Sequence, residues 1–155
     1  MTSKQDFTDE EWTRIRRAPL VAGVAISLAD PGGPIELAKE TMASLRSATL
    51  PPSQEELLAS VALDVQALAQ QKQNPLGNFK PTSGQQVLEE LRGVNEIVTA
   101  KATPQEVEAF RRWLVAAAQA AADAAKEGGF MGFGATQVSE GEQAMLAQVK
   151  EAVGA

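Results

Sequence analysis

The chain has 155 residues, 44% of them hydrophobic and 22% charged, and a formal net charge of −6, the size and balance of one folded domain with a continuous apolar core. It contains no Cys, His or Tyr, which removes the usual ligands of zinc, copper and haem and the commonest general base. The acidic balance disfavours nucleic acid and anionic membrane as partners, because both would be approached against a repulsive field.

The segment from Met1 to Glu11 has no apolar stretch of the signal-peptide kind and is acidic where a transit peptide is basic, so a cytoplasmic protein is expected. Residues 1–7 read as a flexible lead and residues 1–155 as a single helical domain. The longest apolar run, Pro19 to Ala29, is broken by Gly23 and Ser27 and falls short of the roughly 20 residues that cross a bilayer, so no membrane insertion is expected.

Helix starts carry a recurring signature, Ser or Thr with Glu three residues on, in which each side chain satisfies a free N–H of the first turn. It occurs at Thr8 with Glu11, Ser53 with Glu56, Thr103 with Glu106 and Ser139 with Glu142. The first helix is expected over about Asp9 to Ala29, with Trp12, Ile15, Val21, Val24 or Ala25, and Leu28 on one side and with Pro19 kinking or dividing it. Asp30-Pro31-Gly32-Gly33 stops it, and Pro34 restarts a helix that carries Ile35, Leu37, Ala38, Met42 and Leu45 on its apolar side. After Pro51-Pro52, a third helix runs to about Gln73 with Leu57, Leu58, Val61, Val65 and Leu68 inward. A loop from Asn74 to Pro81 follows, anchored by Leu76 and Phe79.

The fourth helix, about Gln85 to Ala100, carries Val87, Leu88, Leu91, Val94, Ile97 and Val98, with Gly93 a weak point or a close-packing site. The fifth, Pro104 to Lys126, begins with Val107, Phe110, Trp113 and Leu114 and then turns almost wholly to alanine. Such a thin cylinder belongs in the middle of a bundle. A glycine-rich loop leads to a sixth helix, Glu140 to Val153. Setting Thr103 on Thr8 matches Glu106 with Glu11, Val107 with Trp12, Phe110 with Ile15 and Arg111-Arg112 with Arg16-Arg17. The expected fold is therefore an all-α bundle of about six helices, two pseudo-repeated helical hairpins around a central pair formed by the third and fourth helices.

The segment Gln137-Val138-Ser139-Glu140-Gly141-Glu142-Gln143-Ala144-Met145-Leu146, followed by Val149, Lys150 and Val153-Gly154, resembles the second-hairpin ending of tellurite-resistance TerB-like helical domains. It is also similar to a group of small bacterial all-helical proteins with a Gly-Phe-Met-Gly-Phe-Gly stretch before that helix. The resemblance implies an all-helical fold with pseudo-repeated hairpins and an acidic, metal-binding stress protein. The turn from Gly132 to Gln137 has no carboxylate, so the metal site of such domains does not carry over to it.

The loop Gly128 to Gly134 lacks the lysine and the Gly-Lys-Ser/Thr ending of a phosphate cradle. Its Phe130, Met131 and Phe133 are instead candidates for an exposed apolar patch that docks a partner chain. Arg16, Arg17, Arg111 and Arg112 converge on an anion if the hairpins are symmetric, or sit solvated and pair with Glu10, Glu11, Glu106 and Glu108. Asp30, Asp64 and Asp123 could gather around calcium, magnesium or manganese, but capping and ion pairing are their simpler use. With no histidine and no Gly-x-Ser-x-Gly, nothing points to nucleophilic catalysis and no cofactor is implied. The reading is a non-enzymatic bacterial interaction or stress-associated protein that binds a protein partner or itself as a homodimer. The alternatives are a TerB-like metal- or anion-binding protein and, behind it, an enzyme with a carboxylate or lysine site.

Overall fold

The computed structural model describes residues 2–29, 34–127 and 140–155, with the side chains of 2–29, 41–124 and 140–155. Among the described residues a short 3-10 turn at Lys4–Asp6 precedes six helices: α1 (Asp9–Ala29), α2 (Pro34–Thr49), α3 (Glu56–Gln70), α4 (Gly84–Lys101), α5 (Pro104–Glu127) and α6 (Glu140–Val153). The protein is an all-helical bundle. No helix among the described residues is long and apolar enough to cross a membrane.

The alanines of α5 explain its place. Ala117, Ala118, Ala121 and Ala122 are fully buried, and side chains that small let five neighbours approach one helix closely. α5 packs on every other helix, and so does α1. The inner pair is thus α1 with α5. The third and fourth helices, expected between the hairpins, are peripheral: α3 packs on α1, α2 and α5, and α4 on α1, α5 and α6. The larger apolar residues of the surrounding helices, among them Leu57, Val61, Leu91, Val94 and Val149, fill the space that the alanines leave. Pro19 lies inside α1 without dividing it.

The flexible lead expected at residues 1–7 gives way to a strap. Phe7 is buried with its ring 6.0 Å from that of Trp12, Lys4 pairs with Asp64 at 3.3 Å, and Thr2 is buried against α5. Two anchors hold the segment in place: Phe7 meets Trp12 as the apolar pair that brackets the Thr8 cap, a local signal, whereas nothing near Thr2 in the sequence points to Glu106.

Helix ends follow the capping rules at most places. The boxes at Thr8 and Thr103 are closed on both sides, Thr8 N to Glu11 Oε1 at 2.9 Å with Glu11 N to Thr8 Oγ1 at 3.1 Å, and Thr103 N to Glu106 Oε1 at 3.2 Å with Glu106 N to Thr103 Oγ1 at 3.2 Å. The box expected at Ser53 does not form: Glu55 occupies the N-cap position of α3 without a side-chain cap bond, and the Ser53 hydroxyl is buried without a partner among the described residues. With the helix starting at Glu56, the Leu57 N–H of that first turn is met from far along the chain, by the carboxylate of Glu106 at 3.3 Å. Ser139 lies outside the described residues. At the other end of α6, Gly154 adopts φ +74°, with its N–H on Glu151 O at 3.2 Å and Ala155 N–H on Lys150 O at 2.9 Å, a Schellman closure that needs a left-handed residue. α3 closes the same way with Lys72 at φ 58°.

Candidate functional site

One end of the bundle gathers the starts of α1, α3 and α5 with the end of α4, and there the polar groups are closely matched. Glu106 is 2% exposed. Its Oε1 accepts from Thr2 Oγ1 at 2.6 Å and Thr103 N at 3.2 Å, and its Oε2 from Thr2 N at 3.1 Å and Leu57 N at 3.3 Å. All four partners are donors. Burial works to raise the carboxyl pKa, and the hydrogen bonds from Thr2 and Thr103 outweigh it, so Glu106 is held below the ordinary carboxylate range. Its echo, Glu11, sits nearer the surface and is held low chiefly by Lys101, whose ammonium lies 2.6 Å from Oε1, with help from Thr8.

The candidate arginines separate into two environments. Arg17 donates to Glu90 Oε2 at 2.6 Å and lies over the Phe79 ring, 4.8 Å from its centroid. Arg14 holds the other oxygen of Glu90 and occupies the space a side chain at Gly93 would need, so Gly93 is a close-packing site. Glu90 is buried, 8% exposed, and bridges two guanidinium groups of α1 from α4. Arg16 is half-buried, and its Nε is buried without a hydrogen-bond partner among the described residues. On α5 the pattern differs. Arg111 donates through Nε to Asn95 Oδ1 at 2.9 Å and through Nη2 to Thr99 Oγ1 at 3.4 Å, both neutral acceptors. Arg112 is exposed. Among the described residues neither Arg111 nor Arg112 forms an ion pair, and Glu10, Glu11, Glu106 and Glu108 pair with none of the four candidate arginines.

Arg111 and Arg112 share the wall of a cavity of about 610 Å³, with Thr99 and Ala102 from the end of α4, and Val107 and Glu108 from α5. Arg16 and Arg17 do not reach it. A second concavity, about 440 Å³, runs between α2 and α3 and is lined by Met42, Leu45, Arg46, Thr49, Gln66 and Ala69. Its surroundings are apolar. Met42 is 70% exposed, Leu50 66% and Leu63 64%, and these are the large hydrophobic residues that stand out into solvent among the described residues. Met42 is therefore not on the buried side of α2, where the periodicity puts it. The buried positions of α2 include Ser44 and Ala48, and Met42 shares with Arg46 and Thr49 the i, i+4, i+7 face that looks away from them.

Phe130, Met131 and Phe133, the sequence candidates for partner docking, lie outside the described residues, as does Asp30. Asp64 accepts from Trp12 Nε1 at 2.7 Å and Asp123 from Gln119 at 3.0 Å. Among the described residues no three of Asp, Glu, His and Cys gather as a metal would need. Sequence reasoning missed Glu90 and Arg14, whose pairing spans distant parts of the chain, and Leu63, which carried a visible signal: it lies opposite the stripe Leu57, Val61, Val65 and Leu68 on α3.

No protein-family model, curated protein or solved structure matches this chain.

Proposed function

We propose that this protein is a non-enzymatic interaction module that associates with a second copy of itself through the outer face of α2 and α3. The observation that carries the reading is the concentration of Met42, Leu50 and Leu63 on two adjacent helices and their connection. A patch of this kind on an otherwise polar surface marks a contact region. The same surface offers both a depression, floored by Leu45, Thr49 and Ala69, and projecting apolar side chains beside it. A two-fold contact requires that combination, since each copy must present the complement of what it receives. Arg46, Gln66 and Gln70 supply a polar rim around the apolar centre.

The test is sedimentation velocity over a concentration series from about 5 to 500 μM, the range in which weak apolar contacts of this size associate. The wild-type chain shifts from monomer to dimer, and Leu63→Asp, made on an exposed position, stays monomeric with an unchanged melting temperature. A wild-type chain that is monomeric throughout, or a dimer indifferent to Leu63→Asp, contradicts the reading.

A further inference from the structure

The two arginine pairs of α1 and α5 occupy equivalent places in the chain but not in chemistry. On α1, Arg17 and its neighbour Arg14 share the single buried carboxylate of Glu90, one on each oxygen, while Arg16 forms no ion pair among the described residues. On α5, Arg111 is oriented by Asn95 and Thr99 without being neutralised, and Arg112 has no ion-pair partner among the described residues. The resting state tolerates the Arg111 charge because its guanidinium lies against the C-terminal turn of α6: a Cβ on Gly154 would stand 3.2 Å from Arg111 Cζ. The partial negative charge of a helix C-terminus favours a cation there. A fork-shaped cation fixed by neutral acceptors, with no bond to Nη1 among the described residues, is prepared for an oxyanion.

We infer that the cavity walled by Arg111 and Arg112 binds a small organic monocarboxylate with an apolar body. The volume of about 610 Å³ lies within the range of ligand pockets. The planar carboxylate suits the guanidinium fork, which takes it with two parallel hydrogen bonds. Ala102 and Val107 provide the apolar wall against which a hydrocarbon body packs, at about 25 cal/mol per Å² removed from water. Glu108 on the same wall offsets part of the arginine charge, and the apolar wall, which inorganic phosphate would leave bare, favours a carboxylate that carries a hydrocarbon body. The site shares no lining residue with the α2–α3 face, so it stands or falls independently of self-association.

Hexanoate, hexanol and inorganic phosphate are the probes, each titrated to about 10 mM while the melting temperature is followed, since a ligand of the folded state raises it by mass action. Hexanoate produces a saturable rise, and hexanol and phosphate produce none. By calorimetry, Arg112→Gln weakens hexanoate at least about tenfold, the scale of one charge-assisted contact, and leaves the ligand-free melting temperature unchanged because Arg112 is exposed. Absence of a hexanoate response, an equal response to hexanol or to phosphate, or hexanoate affinity unaltered in Arg112→Gln overturns the assignment.

Discussion

The end of the bundle where α1, α3 and α5 begin and the outer face of α2 and α3 are opposite solutions to the same surface problem. At the first, every oxygen of Glu106 and Glu11 that meets the protein meets a donor, and the strap from Thr2 to Phe7 covers apolar side chains. At the second, Met42, Leu50 and Leu63 stay in water beside a groove that nothing in the described chain fills. Matched polar groups and covered rings are what stability alone selects. Uncovered leucine and methionine contribute little to folding, and the proposed self-association would give those on these adjacent helices a use.

The comparison breaks first at Glu106. Because all four groups around its carboxylate are donors, Glu106→Gln turns an amide NH₂ against them and strands buried N–H groups. We expect a loss of about 3 kcal/mol in urea denaturation. Glu11→Gln keeps an acceptor for Thr8 and loses only the exposed ion pair with Lys101, so its effect is much smaller. The acid limb of the stability curve sharpens the same contrast. Folded pKa values below the unfolded ones mean stabilisation that is complete above the ordinary carboxylate range and lost as pH falls through it, below about pH 4.3. Glu106→Gln flattens that limb, and a limb of unchanged slope in the variant contradicts the role given to Glu106.

Glu90→Ala comes next. It leaves Arg14 and Arg17, both on α1, without the carboxylate that α4 supplies between them, at a cost of about 2 kcal/mol, less than for a fully buried pair because Arg14 is partly solvated. Helix ends follow. Gly154→Ala forces a left-handed alanine at φ +74° against the Arg111 guanidinium and lowers stability by about 1 kcal/mol, whereas Lys72→Gly relieves φ 58° and raises it by about 0.5 kcal/mol. Both shifts are readable by chemical denaturation. None of these variants alters self-association. Leu63→Asp does the reverse, with stability unchanged within about 0.5 kcal/mol and association abolished in the sedimentation experiment.

Local grammar made much of this fold readable. Period 3.6 and the Thr8 and Thr103 boxes placed the helices, and the alanines of α5 announced a central position. What the sequence hid depends on partners far along the chain. Ser53 has the residues of a cap, yet Glu106 supplies the acceptor for α3 from 49 residues away. Nothing near Arg17 points to Glu90, 73 residues distant, and nothing near Thr2 points to α5. The apolar pattern of α2 put Met42 inward because periodicity counts hydrophobic residues without knowing which neighbours are present to cover them. The arginine echo was legible as a repeat but not as two different charge environments, since that difference is made by α4, which lies outside the repeat.

The central claim is that the α2–α3 face is where this protein meets its second copy, and the most direct measurement is a dilution series of backbone amide NMR spectra. The account predicts concentration-dependent shifts and broadening confined to residues of about 42–50 and 59–70, with the signals of Glu106, Thr103 and Thr8 unmoved. Spectra independent of concentration, or changes centred on Phe130, Met131 and Phe133 instead, contradict it.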